Sequence, residues 1–289
     1  MPYYKLLAVD VDGTLLGPDQ RVRPDAIDAI GEARRAGLAV CLATGRSYVE
    51  AIDVWRAMRI APPPEPMVVV GGAAVAEPDT GRTLFQKAIA PHVGREFAEA
   101  INDLGYVAMA LVDGWRYDVD YLITDRGDHH AASRDWFSKM PSLRVRRVPD
   151  LGGEADTPQA LRISTVADPA DAERIAAELT PRFVGRLNVH SIVAPNYGVT
   201  IVEAHAHGAD KLAALKYVAQ GMRIGPGRIA AVGDDINDIA MVRGAGLGAA
   251  MPHAPQALLD AADHVASAGL ADFIRRLAAV DAPLGSDPA

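Results

Sequence analysis

Two short acidic runs carry side chains that could do chemistry together. Near the N-terminus, Asp10-Val11-Asp12-Gly13-Thr14 closes an apolar segment, and far along the chain Gly233-Asp234-Asp235-Ile236-Asn237-Asp238 closes another. Carboxylates brought close repel one another, so such a group needs a cation or must hold a proton. Either use is chemical: an oxygen-donor site for a hard divalent ion, or a carboxylate nucleophile beside a general acid. Residues two apart on a continuing strand point to opposite faces, so Asp10 and Asp12 meet at one site only if the chain turns at Asp12. Gly13 supplies the freedom to do so. Asp234 and Asp238 stand four apart and share a face if a helix starts here. Asp235 is placed to cap that helix.

Two further features are weak alone. Thr44-Gly45-Arg46 joins a hydroxyl, a permissive backbone and a cation in a turn that could hold an anion. Lys211 lies near the start of a helix, where it opposes the helix dipole and so serves something other than helix stability, such as neutralising a phosphate.

The elements needed to position these residues are legible around them. Residues 5–11 and 38–43 read as buried strands, and residues 24–36 as an amphipathic helix that begins with Pro24 and stops at Gly37. Residues 47–59 read as a second helix, and a Pro-rich break leads to a third strand at Met67-Val68-Val69-Val70. Late in the chain, residues 209–220 read as a helix, 228–232 as a strand, 235–242 as a helix, 246–250 as a short strand and 254–262 as a helix. Alternating strands and helices predict a parallel sheet with helical crossovers, and open sheets of that kind bind ligands at the carboxyl ends of their strands.

The middle differs. Helices are expected at 91–104 and 168–179, and strands at 106–112, 115–122, 160–166, 186–193 and 198–203, with a hairpin turn at Asp113-Gly114. The expected fold class is therefore α/β: a doubly wound, Rossmann-like parallel-sheet core formed by residues 1–83 and 201–289, interrupted by an α+β insert of residues 84–200.

Composition narrows the function. With 49% hydrophobic and 23% charged residues the chain is globular rather than disordered. A net charge of -8 argues against a nucleic-acid partner, which needs a basic footprint. The single cysteine, Cys41, excludes an intramolecular disulfide and sits in an apolar run as a core residue. The N-terminal apolar run is cut by Asp10 and Asp12, and no apolar stretch reaches membrane-spanning length, so no membrane partner and a cytoplasmic location are expected.

The order of residues 10–15 (DVDGTL), 44–46 (TGR), Lys211 and 233–241 (GDDINDIAM) resembles the haloacid dehalogenase superfamily of phosphatases. The large insert resembles the α/β cap of its Cof-type subgroup. The resemblance spans nearly the whole chain and implies a phosphoric monoester hydrolase that acts on a small phosphorylated metabolite, such as a sugar phosphate, through an aspartyl-phosphate. It implies that Asp10 is the nucleophile and Asp12 the general acid and base. Mg²⁺ would be held by Asp10, the Asp12 backbone carbonyl and Asp234, with Asp238 and Asn237 supporting that shell. Thr44, Gly45, Lys211 and Asn237 would bind the transferring phosphate.

Two departures from the family pattern fall on the substrate side. Gly71-Gly72-Ala73 replaces a common Asn-Gly-Ala turn, leaving a Gly72 backbone contact, and Met251-Pro252-His253-Ala254 replaces a Gly-Asn-Ala pattern. Candidate readers of the substrate are Arg46, Gly72, Arg116, Tyr117, Arg162, His190 and Asn196. His129-His130 is expected in an exposed loop, and His205 and His207 lie near the domain join. Rival functions are a phosphotransferase or phosphomutase on the same scaffold, and a non-catalytic ligand-binding protein. The intact acids and Lys211 speak against the latter. Sequence carries no signal of oligomeric state.

Overall fold

The computed structural model describes residues 1–152, 157–194 and 198–285. In chain order the elements are β1 (Leu6–Val9), α1 (Pro24–Ala36), β2 (Ala39–Leu42), α2 (Tyr48–Ala57), β3 (Met67–Val69), β4 (Ala74–Ala76), β5 (Thr83–Gln86), α3 (Pro91–Asp103), β6 (Met109–Val112), α4 (Gly114–Tyr117), β7 (Tyr121–Thr124), α5 (Ala131–Ser138), β8 (Val145–Val148), β9 (Ala160–Ala167), α6 (Pro169–Phe183), β10 (Leu187–Ala194), β11 (Val199–Ala206), α7 (Lys211–Gly221), β12 (Ile229–Gly233), α8 (Ile239–Gly244), β13 (Leu247–Ala250), α9 (Gln256–Leu259), β14 (His264–Val265) and α10 (Leu270–Ala279). They fall into two compact units, residues 1–85 with 210–289, and residues 86–209.

The first unit is Rossmann-like. Its five strands run in the order β14-β13-β12-β1-β2, all parallel, with Leu6 opposite both Ile229 and Ala39. β1, β12 and β13 are fully buried apolar runs, as strands covered on both faces must be. Leu6, Ala8, Cys41, Ala43 and Ala231 pack with Ala214, Leu215 and Val218 of α7 on one side, while α1 packs against α10. α1 ends where the sequence predicts, with Gly37 left-handed at φ 98°. A small sheet β3-β4-β5 adjoins β2 through the bridge Ala43–Val68.

The second unit is a six-stranded sheet in the order β10-β11-β9-β6-β7-β8. The long ladder β10-β11-β9 is antiparallel, and α3 and α6 pack against its strands. The second join falls at 209/210 rather than the expected 201, because β11 runs to Ala206 and pairs along its length with β10 and β9. The expected strand at 115–122 is also corrected. The Asp113 side chain accepts from the backbone N–H of Trp115 and Arg116, so residues 114–117 wind into a helical turn and the strand begins at Tyr121. Among the described residues no helix is long and apolar enough to cross a membrane.

Candidate active site

The first acidic run leaves the carboxyl end of β1. Residues 11–15 form a π-helical turn broken at Asp12 and Gly13, where Gly13 takes φ 79°. A Cβ on Gly13 would stand 2.0 Å from Asp234 Oδ2, so glycine here serves both the turn and the close approach of the second run. Thr14 Oγ1 donates to Asp234 Oδ1 at 2.9 Å, joining the two runs across 220 residues. The second run leaves β12, which neighbours β1 in the sheet. Both runs therefore lie at the carboxyl ends of adjacent parallel strands.

Asp10, Asp234 and Asp238 each present a carboxylate oxygen within 4.8 Å of the others. Lys211, on the first turn of α7, reaches into this group: its Nζ donates to Asp10 Oδ1 at 2.6 Å and to Asp238 Oδ1 at 2.7 Å. The Lys211 side chain is 1% exposed, so its ammonium is committed to these two acids. Burial alone would lower the Lys211 pKa, but the charges of Asp10 and Asp238 reverse that and raise it. Burial raises Asp10 well above the usual carboxylate range; Lys211 opposes this, and Asp238 and Asp234 add to it. Burial likewise raises Asp234, against the hydrogen bond from Thr14. Three carboxylates face one ammonium, and the group is short of positive charge.

Asp238 spends both oxygens internally. Oδ1 accepts from Lys211, and Oδ2 accepts from the backbone N–H of Asp234 at 3.1 Å and Asp235 at 3.2 Å. It folds the acidic turn back on itself and so holds Asp234 in place. Asp235 caps the short 3-10 turn of residues 236–238 by accepting from Ile236 N–H at 2.7 Å, as its position in the sequence suggests. Asn237 is exposed on that turn. His253 Nε2 stands 3.7 Å from Asp234 Oδ2, which places the Pro-His-Ala departure beside the site.

Asp12 takes a different position. Its half-exposed carboxylate is gripped by Arg46, with Nε donating to Oδ2 at 2.9 Å and Nη2 to Oδ1 at 2.6 Å; Nη2 also reaches Gln20 Oε1 at 3.2 Å. This two-pronged geometry fixes the carboxylate plane. Thr44 is buried and its hydroxyl accepts from Arg46 N–H at 3.1 Å, closing the turn after β2. The Gly-Gly turn after β3 is hydrogen-bonded to this one: Gly71 N–H donates to Thr44 O at 2.9 Å and Val70 N–H to Arg46 O at 2.8 Å. Gly72, at φ 95°, admits the Asp210 carbonyl, which a Cβ would meet at 2.0 Å. The Gly-Gly turn thus ties the Thr44–Arg46 turn to the chain that delivers Lys211. Gly45 differs, since a Cβ there meets nothing within 4 Å.

The candidate readers in the second unit divide. Arg162 Nη1 lies 3.3 Å from Glu203 Oε2 and Nη2 donates to Tyr121 Oη at 3.0 Å, while His190 Nε2 lies 2.9 Å from Glu203 Oε1. Arg116 and Tyr117 sit apart on α4, where Arg116 Nε lies 3.4 Å from Asp113. Asn196 lies outside the described residues. His130 caps α5 by accepting from Ala132 N–H, and His129 contacts Arg147, so the two rings serve different neighbours. Sequence reasoning missed Glu203. Its signal was a lone acid inside the otherwise apolar and histidine-bearing strand β11.

Comparisons with known proteins identify relatives over nearly the whole chain. The family model for haloacid dehalogenase-like hydrolases matches residues 7–272. The 5-amino-6-(5-phospho-D-ribitylamino)uracil phosphatase of Bacillus subtilis is 23% identical over 278 residues, covering 94% of this chain and 93% of that protein. The phosphoglycolate phosphatase of Natronomonas pharaonis is 26% identical over 271 residues, covering 92% of each. The crystal structure of a haloacid dehalogenase-like hydrolase from Bacteroides thetaiotaomicron superposes with a TM-score of 0.75 at 20% identity, covering 95% of this chain and 99% of that one. With the family model spanning the acidic runs, Lys211 and the insert alike, the chain belongs to the haloacid dehalogenase-like hydrolases and, within them, to the Cof-type phosphatases.

Proposed function

We propose that the chain is a Mg²⁺-dependent phosphatase that hydrolyses the phosphate monoester of a small metabolite, a sugar phosphate or a close relative, through an aspartyl-phosphate on Asp10. The observation that carries this reading is the convergence of Asp10, Asp234 and Asp238 on Lys211 at the ends of β1 and β12. Relatives that act on a phosphoribityl compound and on phosphoglycolate support the substrate class.

The donor set fits a hard divalent ion. It is all oxygen, and it carries more negative charge than one lysine balances. Asp10 and Asp234, with the Asp12 backbone carbonyl, would hold the ion, and Asp238 would brace the turn that presents Asp234. The ion's contribution is to neutralise charge on the phosphoryl oxygens.

In the first step an Asp10 carboxylate oxygen forms a bond to phosphorus as the bond to the ester oxygen breaks, and Asp12 gives its proton to that leaving oxygen. In the second, Asp12 takes a proton from water, the water oxygen bonds to phosphorus, and the bond to Asp10 breaks, releasing phosphate. Lys211 supplies positive charge beside Asp10 throughout, and the Thr44-Gly45 turn offers a backbone edge for the phosphoryl oxygens. Arg46 holds Asp12 in the turn from which it serves both steps. The second unit is assigned the role of a cap that reads the leaving group. The reaction is placed in the cytoplasm, where small phosphorylated metabolites are found.

The test is inorganic phosphate release from a panel of sugar phosphates, phosphoglycolate, nucleotides, pyridoxal phosphate and p-nitrophenyl phosphate, with Mg²⁺ and with chelator. Release that needs Mg²⁺ and is lost in Asp10→Asn is the expected result. A folded, Mg²⁺-supplied protein that releases nothing from any of them overturns the phosphatase reading. Transfer to an added sugar or alcohol in preference to water would make it a phosphotransferase.

A further inference from the structure

The second unit holds a group of side chains that the phosphatase reading leaves unexplained. On one face of the β10-β11-β9 ladder, His190 lies opposite Glu203, and His205 opposite Arg162. His190, Glu203 and His205 each offer a ligand atom, and all three atoms lie within 4.8 Å of one another. The imidazole rings of His190 and His205 are stacked, with centroids 5.4 Å apart and planes at 11°. Both rings turn an edge to the same oxygen: Glu203 Oε1 is 2.9 Å from His190 Nε2 and 4.0 Å from His205 Nδ1.

His205 is the anomaly. It is 5% exposed, yet its Nδ1 stands too far from Glu203 for a hydrogen bond, and its Nε2 is buried with no hydrogen-bond partner among the described residues. A buried imidazole with no hydrogen bond is costly, and its Nδ1, on the Glu203 side, is the nitrogen that could take a ligand. Burial also holds this imidazole neutral at physiological pH, its pKa down to about 4, so a nitrogen lone pair is available.

We propose that His190, Glu203 and His205 form a second metal site, separate from the acidic group at Asp10, that takes a transition ion of the Zn²⁺ type. Two imidazoles and one carboxylate suit Zn²⁺, Co²⁺ or Ni²⁺ rather than Mg²⁺, which prefers oxygen alone. Two histidines and a glutamate are also a set that zinc accepts with a fourth position left for water or a ligand oxygen. Ligand atoms around tetrahedral zinc stand about 3.3 Å apart, from metal–ligand bonds of about 2.0–2.1 Å; the 2.9 Å and 4.0 Å separations bracket that value. The site has an open side, because the His190 side chain is 41% exposed while Glu203 is 5% exposed.

Arg162 is the feature that opposes a cation here, and its geometry limits the opposition. It approaches Glu203 Oε2, the oxygen turned away from the histidines, and it also reaches Tyr121. A guanidinium on the far oxygen orients the carboxylate for single-oxygen ligation by Oε1, as outer hydrogen-bond partners of metal-bound carboxylates do. It also weakens the site relative to an unpaired carboxylate, so binding reversible by chelator is expected.

The test uses the full chain, stripped with chelator, in the Asp234→Asn background so that the acidic site does not contribute. Titration with Co²⁺ is expected to give one equivalent of the intense visible absorption of a four-coordinate ion, weakened at least tenfold in affinity by His190→Ala and by Glu203→Gln. Titration of the same background with Zn²⁺ is expected to move two of the eight histidine side-chain resonances in ¹H–¹⁵N spectra, and Mg²⁺ to move neither. The resonance experiment needs no substitution inside the site, so it decides the matter even where a variant fails to fold. Absence of the four-coordinate band, a band indifferent to both substitutions, or imidazoles that ignore Zn²⁺ would overturn the proposal.

Discussion

The two buried charge groups use the same vocabulary to opposite effect. In the first unit three carboxylates share one ammonium, and burial with mutual repulsion drives Asp10 and Asp234 upward. In the second unit one carboxylate sits among a guanidinium and two imidazoles. Burial alone would raise Glu203, but Arg162 and the His190 hydrogen bond outweigh it and bring its pKa to about 2. What differs is the sign of the surplus. The first group lacks positive charge and asks for a hard cation with a phosphate behind it. The second is balanced in charge but leaves a histidine unpartnered, and so offers lone pairs. Burial of a charge group therefore does not by itself announce a function; the stoichiometry of its signs does.

Replacing Asp10 should produce the largest effect on activity and separate it cleanly from stability. Asp10→Asn removes the nucleophile, and phosphate release is expected to fall by at least about 10³-fold. Because three carboxylates face one ammonium, and burial and mutual repulsion penalise the Asp10 charge, the same substitution should leave the metal-free melting temperature unchanged or higher. Lys211→Met should lose activity too, but with a stability cost of about 3–5 kcal/mol, since Asp10 and Asp238 are left buried without their cation. Denaturant titration of the two variants in chelator checks the contrast. Equal destabilisation by both would break the account of the first group as acid-rich.

The mirror experiment is Glu203→Gln. It removes the buried carboxylate that Arg162 and the His190 hydrogen bond hold ionised, and should cost about 3 kcal/mol in chelator, where no bound metal complicates the reading. Conversion of one acid to its amide would thus be harmless in the first unit and damaging in the second. A neutral outcome for Glu203→Gln would collapse the comparison.

Chemistry was more legible in the sequence than placement. Asp10, Asp12, Lys211 and Asp234 announce themselves because each follows a strand or opens a helix whose own pattern is strong, and parallel topology brings strand ends together whatever the loops do. Lys211 was read as a neutraliser of phosphate; its contact with Asp10, across 201 residues, was not foreseen. The histidine–glutamate group was not foreseen either, because its members sit on separate antiparallel strands whose register no local pattern encodes. Arg116 was assigned to a strand because Asp113-Gly114 has the composition of a hairpin turn. The Asp113 side chain instead caps a helical turn, a competition that composition does not decide. The edge strand β8 was missed for a simpler reason: Val-Arg-Arg-Val is mostly exposed and has no alternation to read.

The opposed signs predict opposed pH dependence in the metal-free protein. His205 has its pKa lowered from 6.5 to about 4, so its neutral form belongs to the fold. Between those values the unfolded chain binds more protons, and stability falls as pH drops through the window. Glu203, lowered from 4.5 to about 2, extends the loss further into acid. Asp10, raised above 3.8, works the other way, its contribution diminishing as pH rises through its folded value. For a shift of the His205 size the loss is about 3 kcal/mol. His205→Leu is therefore expected to flatten the fall in melting temperature between pH 6.5 and about 4. A His205→Leu curve that falls as steeply as wild type's across that range would remove the second group from the comparison.

The smallest expected effect on stability is the most informative about the phosphate edge. Gly72 and Gly45 both sit in turns of the first unit, and the sequence treats them alike. Gly72→Ala should cost several kcal/mol, because its positive φ and the Asp210 carbonyl 2.0 Å from a would-be Cβ leave no room to adjust. Gly45→Ala should change stability by no more than about 0.5 kcal/mol, since its φ lies outside the left-handed range and an added Cβ would meet no atom within 4 Å. If Gly45→Ala melts like wild type but raises KM or lowers kcat for phosphate release, its backbone is the surface on which the phosphoryl group rests. If it is silent in both, the glycine is incidental, and phosphate recognition falls to Thr44 and Lys211.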